Sequence, residues 1–529
     1  MLLAIACTAI PARAGQSSTA AGQTDAGAAA VVATSPDQGP PGGHWLKDDQ
    51  GREYFVSRIP KNKAARIDKN TVRNFWGFPL DIVREDDKFY YYKVYKPIVA
   101  PKPPPVAQIS PREERRIRDS YRVSVRPSAR LRFVSFGHGL PSSGQWRQGF
   151  AVADMNGDGH PDIIHGPPRK APGAGPVIFL GDGKGSWSRW REAKFPPLAY
   201  DYGDVQTGDF NGDGHPDLAL AVHLRGLIAL LGDGKGGFRN ASEGLDFALG
   251  GRTPFSSTAL RIVDWNGDGR PDILAFGEGP GLMGGHLVHS SRGPVVYLNV
   301  GDGKWERHAS TAPDQLFGDS IAIGDFDGSG HRGFATSTSI MDREDIVNLW
   351  RPNSGWEAVA VKELRPMAYV WSVTAADFDG DGRADLAVAY TSFELATWRS
   401  GVDVLLSRPG GRWERHPLFA AETRKGPVAL AAGDLVGDGH QDLVALTATG
   451  ETLVFLGNGK GSFTREKTPP PAYPGACRAA HVELADLDGD GRDEVVASFS
   501  DEHDQYGHCP SDGGLTAWKA LPRAGVRKR

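Results

Sequence analysis

The chain has 529 residues, of which 40% are hydrophobic and 23% charged, with 68 glycines and 38 prolines. It is too apolar overall for a disordered chain, and its glycine and proline content disfavours long helices. Its 60 basic and 64 acidic residues leave a net charge of −4, which provides no electrostatic footprint for nucleic acid. No apolar run reaches the roughly 18 residues of a membrane-spanning helix. The composition therefore predicts a turn-rich, mostly β protein.

The first 119 residues divide into four segments by composition. Residues 1–14 resemble an export signal, because an apolar stretch precedes a small-x-small cleavage pattern, although a basic n-region is missing. Residues 15–43, rich in Ala, Gly, Ser, Thr and Gln, predict a flexible spacer. Residues 44–98 alternate aromatic runs with turn-prone polar clusters and predict a small β-rich domain of unknown function. Residues 99–119 are proline-rich and then charged, and predict a linker.

An acidic nine-residue loop recurs seven times between residues 120 and 522, ahead of a basic tail at 523–529. The first copy, at 154–162, has the sequence Asp-Met-Asn-Gly-Asp-Gly-His-Pro-Asp, and the later copies begin at 209, 264, 325, 377, 434 and 486. Each lies between two short apolar segments. In several units a second turn follows with the pattern Leu-Gly-Asp-Gly-Lys-Gly, and Asp-Gly between apolar runs is a strong hairpin signal. Each unit therefore predicts four short strands, the content of one propeller blade.

Seven such units predict an all-β, seven-bladed β-propeller. The last unit stops after its third strand, and residues 131–136 alternate like an outer strand, so we expect this N-terminal strand to complete the last blade and close the ring. Over about residues 130–520 the sequence resembles the FG-GAP/VCBS-repeat β-propellers, the family that includes the head domains of integrin α-subunits. The acidic loops and the second hairpins carry this resemblance, which does not extend to residues 1–120.

The acidic loops have the pattern of calcium sites. Oxygen-bearing side chains occupy positions 1, 3, 5 and 9, position 7 offers a backbone carbonyl, and glycines at positions 4 and 6 permit a sharp turn. Calcium takes six to eight oxygen ligands, several of them carboxylates. We therefore predict about five structural Ca²⁺ sites, as the resemblance also implies. The expected ligands are Asp154, Asn156, Asp158, His160 and Asp162; Asp209, Asn211, Asp213, His215 and Asp217; Asp264, Asn266, Asp268, Arg270 and Asp272; Asp377, Asp379, Asp381, Arg383 and Asp385; and Asp486, Asp488, Asp490, Arg492 and Glu494.

Two copies depart from this pattern. The fourth has Ser329 at position 5 and Gly333 at position 9, so we expect it to hold no ion. The sixth has valine at position 3 but keeps Asp434, Asp438 and Asp442, so we expect weak binding there. The alternative is that Asp, Asn and Gly simply form good turns. An acid at position 9, beyond the turn, favours calcium over that alternative.

The cysteines and the calcium pattern both bear on localisation. Removal of residues 1–14 would leave Cys477 and Cys509, and an even number in an exported chain predicts one disulfide, with two buried thiols as the alternative. Extracellular calcium modules have dissociation constants on the order of 10⁻⁴–10⁻³ M, so such sites fill outside the cell. We therefore expect an exported protein.

A partner is expected on the face opposite the acidic loops, where the connections between second and third strands are long in the third, fifth and seventh units. The candidate ligand-face residues are Trp146, Tyr202, Trp371, His286 and His503. Packing between neighbouring blades is the alternative role for the aromatic residues.

No GxSxG, HExxH, CxxC or P-loop motif is present in the sequence. We therefore favour a non-enzymatic binding or adhesion module for a protein or a glycan, by analogy with the resembled family. A carbohydrate-active enzyme, either a polysaccharide lyase or a hydrolase, is the rival hypothesis, because sequence does not separate catalytic acids from calcium-binding carboxylates. A lectin-like adhesin is a third hypothesis.

Overall fold

The computed structural model describes residues 46–47, 53–61, 64–66, 72–74, 79–80, 82–95, 110–169, 171, 174–247, 257–283, 286–291, 293–308, 318–337, 347–351, 355–359, 368–395, 397–475, 477–500 and 509–523. The predicted signal segment, the spacer and residues 524–529 lie outside these ranges. The chain divides into two compact units. The first contains residues up to 108 together with 280–290, and the second contains residues 109–279 and those from 291 onward.

The N-terminal part of the first unit is all-β in its described residues. Its strands are β1 (Leu46–Lys47), β2 (Glu53–Pro60), β3 (Ala64–Arg66), β4 (Val72–Asn74), β5 (Pro79–Leu80), β6 (Ile82–Glu85) and β7 (Phe89–Tyr95). One sheet has the order β1-β2-β7-β6 and the other β3-β4-β5. Val56, Tyr90 and Tyr91 are buried side chains of the four-stranded sheet.

The second unit begins with helix α1 (Pro111–Asp119), followed by β8 (Arg126–Ser128) and β9 (Leu131–Ser135). The helix lies within the predicted linker, where we expected only a solvated connector. Proline at the first helical position is compatible with helix geometry, and Arg118 pairs with Glu114 one turn earlier at 2.8 Å. These local interactions explain why the charged run is helical.

Seven antiparallel sheets then follow one another along the part of the second unit that the structure describes. Sheets 1 and 2 contain β10 (Phe150–Ala153), β11 (Asp162–His165), β12 (Val177–Gly181) and β13 (Trp187–Arg189), and then β14 (Val205–Gly208), β15 (Asp217–Val222), β16 (Gly226–Gly232) and β17 (Phe238–Asn240). Sheet 3 contains β18 (Ser257–Val263) and β19 (Asp272–Gly277); after the hairpin strands β20 (Gly279–Met283) and β21 (His286–Ser291), it continues with β22 (Pro294–Gly301) and β23 (Lys304–His308).

The remaining four sheets have the same order of strands. Sheet 4 contains β24 (Ile321–Gly324), β25 (Gly333–Thr336), β26 (Val347–Arg351) and β27 (Gly355–Val359), and sheet 5 contains β28 (Ala368–Ala376), β29 (Asp385–Glu394), β30 (Thr397–Arg408) and β31 (Arg412–Ala421). Sheet 6 contains β32 (Pro427–Gly433), β33 (Asp442–Thr447), β34 (Thr452–Gly457) and β35 (Phe463–Glu466), and sheet 7 contains β36 (Arg478–Ala485), β37 (Glu494–Ser500) and β38 (Gly513–Pro522). The expected all-β class is confirmed for the described residues, apart from α1.

Sheet 7 takes its fourth strand from the N-terminal side of the unit. Strand β9 pairs antiparallel with β38, with Leu131 opposite Pro522 and Ser135 opposite Trp518. Strand β8 is an addition that the sequence did not predict. It pairs in parallel with β35 and makes sheet 6 five-stranded. Residues 126–135 therefore bind the outer edges of two successive sheets.

Neighbouring sheets pack through continuous hydrophobic clusters, each containing side chains of two sheets. The central strands β15 and β16 are buried along their whole length, because both of their faces meet another sheet. One cluster joins Phe150 and Ile163 of sheet 1 to Val496 and Ala517 of sheet 7. The last sheet thus packs against the first.

Two connections between second and third strands differ from the expected irregular loops. In sheet 3 the connection forms the hairpin β20–β21. In sheet 5 strands β29 and β30 continue into it and pair as far as Glu394 and Thr397. In sheet 7, residues 501–508 of the connection lie outside the described part of the chain. A disulfide joins Cys477, which precedes β36, to Cys509 in this connection, with the Cα atoms 4.7 Å apart, as predicted. The described helix α1 is too short and too charged to cross a membrane.

Truncation of Leu131 tests the contribution of β9 to stability. Leu131 is 2% exposed and packs in the cluster shared by sheets 6 and 7. We expect Leu131→Ala to lower the free energy of unfolding by about 2–4 kcal/mol, because it leaves a cavity in a packed core. Thermal unfolding followed by circular dichroism would measure the effect. Arg132→Ala, at an exposed position of the same strand, is the control. Equal melting temperatures for the two variants would contradict this role of β9.

Candidate metal centres

The acidic loops owe their shape to glycines at positions 4 and 6. In the first loop Gly157 and Gly159 have φ values of 73° and 86°, which L-residues with a side chain rarely adopt. A Cβ added at either residue would meet nothing within 4 Å. The requirement for glycine is therefore conformational and not a matter of space.

The first aspartate of each loop organises the backbone. Asp154 Oδ1 accepts hydrogen bonds from the amides of Gly157 and Asp158, at 2.8 and 3.1 Å, and Oδ2 accepts one from Gly159 at 2.8 Å. The same three bonds recur in the loops that begin at residues 209, 264, 377, 434 and 486. The position-1 carboxylate therefore holds each of these loops in one conformation.

The acid at position 9 ties its loop to the third strand of the same sheet. Asp162 is fully buried, and its two oxygens accept hydrogen bonds from Met155 of the loop and Gly181 of β12, at 2.8 and 2.9 Å. Equivalent pairs of bonds reach Asp217, Asp272, Asp385 and Asp442. These two hydrogen bonds brace the loop against the third strand, and this brace accounts for an acid at position 9 without a metal. The acid at position 9 favoured calcium at the level of the sequence. Because it has this structural role, its presence is not by itself evidence for an ion.

Burial of these acids makes their ionised form unfavourable. Loss of hydration, reinforced by the charges of Asp158 and Asp154, raises the pKa of Asp162 to about 7. For the same two reasons the pKa of Asp385 is raised to about 7 and that of Asp442 to about 8. Burial likewise raises the pKa of Glu494 to about 7. A cation close to these carboxylates would relieve the unfavourable charge.

Two loops bring three carboxylates within reach of one ion. The ligand oxygens of Asp377, Asp379 and Asp385 lie within 4.8 Å of one another, and so do those of Asp486, Asp488 and Glu494. In the second group, Asp488 Oδ1 and Glu494 Oε1 are buried and accept no hydrogen bond. A set of carboxylate oxygens with unused acceptor capacity fits a hard cation such as Ca²⁺.

In the first three loops, position 3 is an asparagine. Its Nδ2 donates to the position-5 aspartate, as from Asn156 to Asp158 at 2.9 Å, and its Oδ1 accepts from the amide of that aspartate at 3.0 Å. The side-chain oxygens at positions 1, 3, 5 and 9 of these loops are chemically suited to calcium. They carry one carboxylate fewer than the loops that begin at 377 and 486.

The fourth and sixth loops fold like the others but have weaker donor sets. Ser329 and Gly330 donate their amides to Asp325 at 3.0 and 2.8 Å, while Gly333 brings no carboxylate to position 9. In the sixth loop Asp442 is fully buried and braced, but position 3 is the apolar Val436. The loop fold therefore does not require the complete set of oxygen ligands.

Basic side chains that contact three of the acidic loops were not predicted from the sequence. Arg130 lies 3.4 Å from Asp438 Oδ2 of the sixth loop. Arg408, at the end of β30, lies 2.5 Å from Asp379 Oδ2, and Lys519 of β38 contacts Asp488. They are far from these loops in the sequence. Since a basic residue in a strand is ordinarily solvated, no local signal could have identified them.

Among the candidate ligand-face residues, the structure describes the side chains of Trp146, Tyr202 and Trp371. Trp146 and Tyr202 are 6% and 7% exposed, which fits the packing alternative. Trp371 is partly exposed and donates through Nε1 to Thr391 Oγ1 at 2.9 Å. His286 lies in β21, but its side chain is outside what the structure describes, and His503 falls outside the described residues altogether.

Comparison with known proteins identifies the repeated unit. The model of the FG-GAP-like repeat matches residues 171–220 and 434–497, and that of the FG-GAP repeat matches residues 369–394. The chain contains FG-GAP repeats. The predicted resemblance is thereby confirmed, and together with the succession of four-stranded sheets it makes the second unit a β-propeller.

One curated relative and two solved structures illustrate the similarity. Integrin alpha-7 from Homo sapiens is 30% identical over 135 residues, which are 23% of this chain and 11% of that protein. The structure of BBS1N in complex with ARL6DN, soaked with lead, superposes with a TM-score of 0.45 at 12% identity, over 76% of this chain and 99% of that one. The BP39L lectin from Burkholderia pseudomallei superposes with a TM-score of 0.41 at 14% identity, over 72% and 98%.

The raised pKa values predict how the metal-free protein responds to pH. Between about pH 4 and 8 the folded state holds more protons on Asp162, Asp385 and Asp442 than the unfolded state, so stability falls as pH rises through this window. In EDTA we expect the melting temperature to decrease from pH 6.5 to 8.5. Saturating calcium should flatten this decrease, because the bound cation favours the ionised carboxylates. A melting temperature in EDTA that rises with pH over this range would contradict the assignment.

Proposed function

We propose that the second unit is a closed, seven-bladed propeller that acts outside the cell as a binding or adhesion module, with Ca²⁺ in its acidic loops. The pairing of β9 with β38 supports closure, as does the packing of sheet 7 on sheet 1. At that junction the rings of Phe150 and His481 are 5.0 Å apart. A sheet completed by strands from both sides of the unit leaves no open edge in the circle.

The convergence of Asp377, Asp379 and Asp385 carries the proposed calcium role. We assign calcium to the loops that begin at residues 154, 209, 264 and 377, with weak binding at the loop that begins at 434. Bound calcium would supply positive charge to buried carboxylates that otherwise repel one another. The residues of the chain already hold the loop in shape, so the ion's contribution is to stability.

Removal of one loop charge tests the calcium assignment. Asp213→Asn removes a proposed ligand charge while leaving an oxygen at position 5, and we expect it to bind one ion fewer than the wild type. Asp233→Asn, which changes an exposed aspartate in the other hairpin of the same sheet, is the matched control. Metal analysis after dialysis against calcium would give the ion counts. The same number of ions in both variants would refute a site at this loop.

A calcium-dependent gain in stability should accompany these ions. For a dissociation constant of about 10⁻⁴ M, 2 mM calcium stabilises the folded state by about 1.8 kcal/mol for each occupied site. We therefore expect EDTA to lower the melting temperature by several degrees.

Export is supported by two features of the chain. The disulfide between Cys477 and Cys509 is of a kind that persists in oxidising compartments. Loops with calcium dissociation constants of about 10⁻⁴–10⁻³ M would fill outside the cell, where calcium is abundant. The predicted signal segment, residues 1–14, agrees with this proposal.

The partner surface is proposed at the extended hairpin of sheet 5, on the side away from the acidic loops. Phe393 is 49% exposed at the end of β29, and its ring lies 5.0 Å from that of Trp398. The guanidinium of Arg424 lies 4.8 Å from the Trp398 ring. An exposed phenylalanine ring and a partly exposed tryptophan ring beside a cation are suited to binding a sugar face or an apolar side chain of a protein.

Binding measurements on Phe393→Ala test this surface. The side chain is half exposed, so its removal should leave the fold intact while affinity for the ligand falls about tenfold, or 1.4 kcal/mol. Val300→Ala is the control. Val300 is 47% exposed and lies at the end of β22, before the turn to β23 in sheet 3, on the side of the sheets that carries the acidic loops. Glycan arrays and immobilised extracellular proteins provide the two ligand classes. Equal binding by both variants would exclude this surface.

A further inference from the structure

The identity of the residue at position 3 determines the charge of each complete loop. In the loops that begin at 154, 209 and 264 it is asparagine, whose amide donates to the position-5 aspartate at 2.9, 2.8 and 3.0 Å. In the loops that begin at 377 and 486 it is aspartate, which adds a fourth carboxylate and lacks that amide donor. These two loops are also the ones that a basic side chain from the third strand of their sheet contacts.

The two basic side chains bind their loops differently. Arg408 lies 2.5 Å from Asp379 and 3.7 Å from Asp381, and it also pairs with Glu414 outside the loop at 3.0 Å. No ion pair joins Arg408 to Asp385, the position-9 acid of its described loop. The fifth loop therefore keeps the carboxylates of Asp377 and Asp385 for an ion.

Lys519 contacts three acids of the seventh loop. Its ammonium contacts Asp488 Oδ2 and lies 2.8 Å from Asp490 Oδ2 and 3.4 Å from Glu494 Oε1. These are the acids at positions 3, 5 and 9, three of the four side chains assigned to the ion in this loop. The Lys519 side chain is only 12% exposed. An ammonium carries three donors and no acceptor. It donates hydrogen bonds to Asp488 and Asp490 and forms an ion pair with Glu494, so one positive charge lies next to all three carboxylates.

We propose that the Lys519 ammonium takes the place of the metal ion in the seventh loop, at Asp486, Asp488, Asp490 and Glu494, where the sequence predicts calcium. The inference deepens the proposed function and rests on it, since calcium is assigned to the other loops. An ammonium and a calcium ion do not share one centre, because their like charges repel and both need the same oxygens. Calcium would enter only after the lysine had left a largely buried position.

The position of Lys519 in the fold explains why this sheet would use a covalently attached cation. Lys519 belongs to β38 and stands opposite Val134 of β9, in the pairing that joins the two sides of the unit. The ion pairs therefore link the acidic loop directly to β38, the strand that pairs with β9. Sheet 7, which this pairing completes, thus keeps a counter-charge in its acidic loop when calcium is scarce, whereas the other loops would lose their calcium.

Ion counts on a lysine variant test the proposal. Lys519→Met keeps the aliphatic stem but removes the ammonium, and we expect this variant to bind one calcium ion more than the wild type. Its melting temperature in EDTA should fall below that of the wild type and recover when calcium is added. Lys184→Met, in an exposed turn of sheet 1, is the control and should change neither quantity. Equal ion counts for Lys519→Met and the wild type would overturn the proposal.

A second variant decides the question if Lys519→Met does not fold. Asp488→Asn in the wild-type background should leave the calcium count unchanged, because this loop holds no ion there. A count lower by one would overturn the proposal. If the wild type binds no calcium at all, the calcium assignment of the other loops fails. A gain of one ion in Lys519→Met would still support the substitution by lysine, so the two failures are distinguishable.

Discussion

A buried carboxylate that ties the first hairpin of a sheet to its third strand is the interaction on which the second unit depends. It recurs as Asp162, Asp217, Asp272, Asp385 and Asp442, each accepting one amide from its loop and one from the adjacent strand. The bonds fix the acidic loop relative to the sheet. They also place a negative charge where water does not reach it, and the fold must then accommodate that charge.

The acidic loops differ in how their negative charge is compensated. Loops with asparagine at position 3 carry fewer carboxylates and have oxygen donors suited to a divalent ion. The loop that begins at 377 has an additional aspartate and shares Arg408 with Glu414. The loop that begins at 486 has the ammonium of Lys519 among its acids. A single repeated motif therefore does not imply a single type of site, because the counter-charge can come from elsewhere in the sheet.

The end of the sheets opposite the acidic loops combines a buried frame with exposed side chains. Short strands such as β11 are buried and provide a rigid frame. Strands β29 and β30 are 10 and 12 residues long and carry Phe393 and Trp398 beyond that frame. Recognition on a scaffold of this kind is varied by lengthening a hairpin, which leaves the interfaces between sheets unchanged.

The repeated unit, the four-stranded sheets, the positions of the acidic loops and the disulfide between Cys477 and Cys509 could all be predicted from the amino-acid sequence. These features follow from local patterns: Asp-Gly turns, short apolar strands and paired cysteines in one chain. The tertiary structure was needed to show that position 9 is a brace, that β8 joins sheet 6 and that Trp146 is buried. It alone brought Lys519 to Asp488 and Arg408 to Asp379, because a counter-charge is selected by distance in space, and the sequence separations of these partners carry no information about that distance.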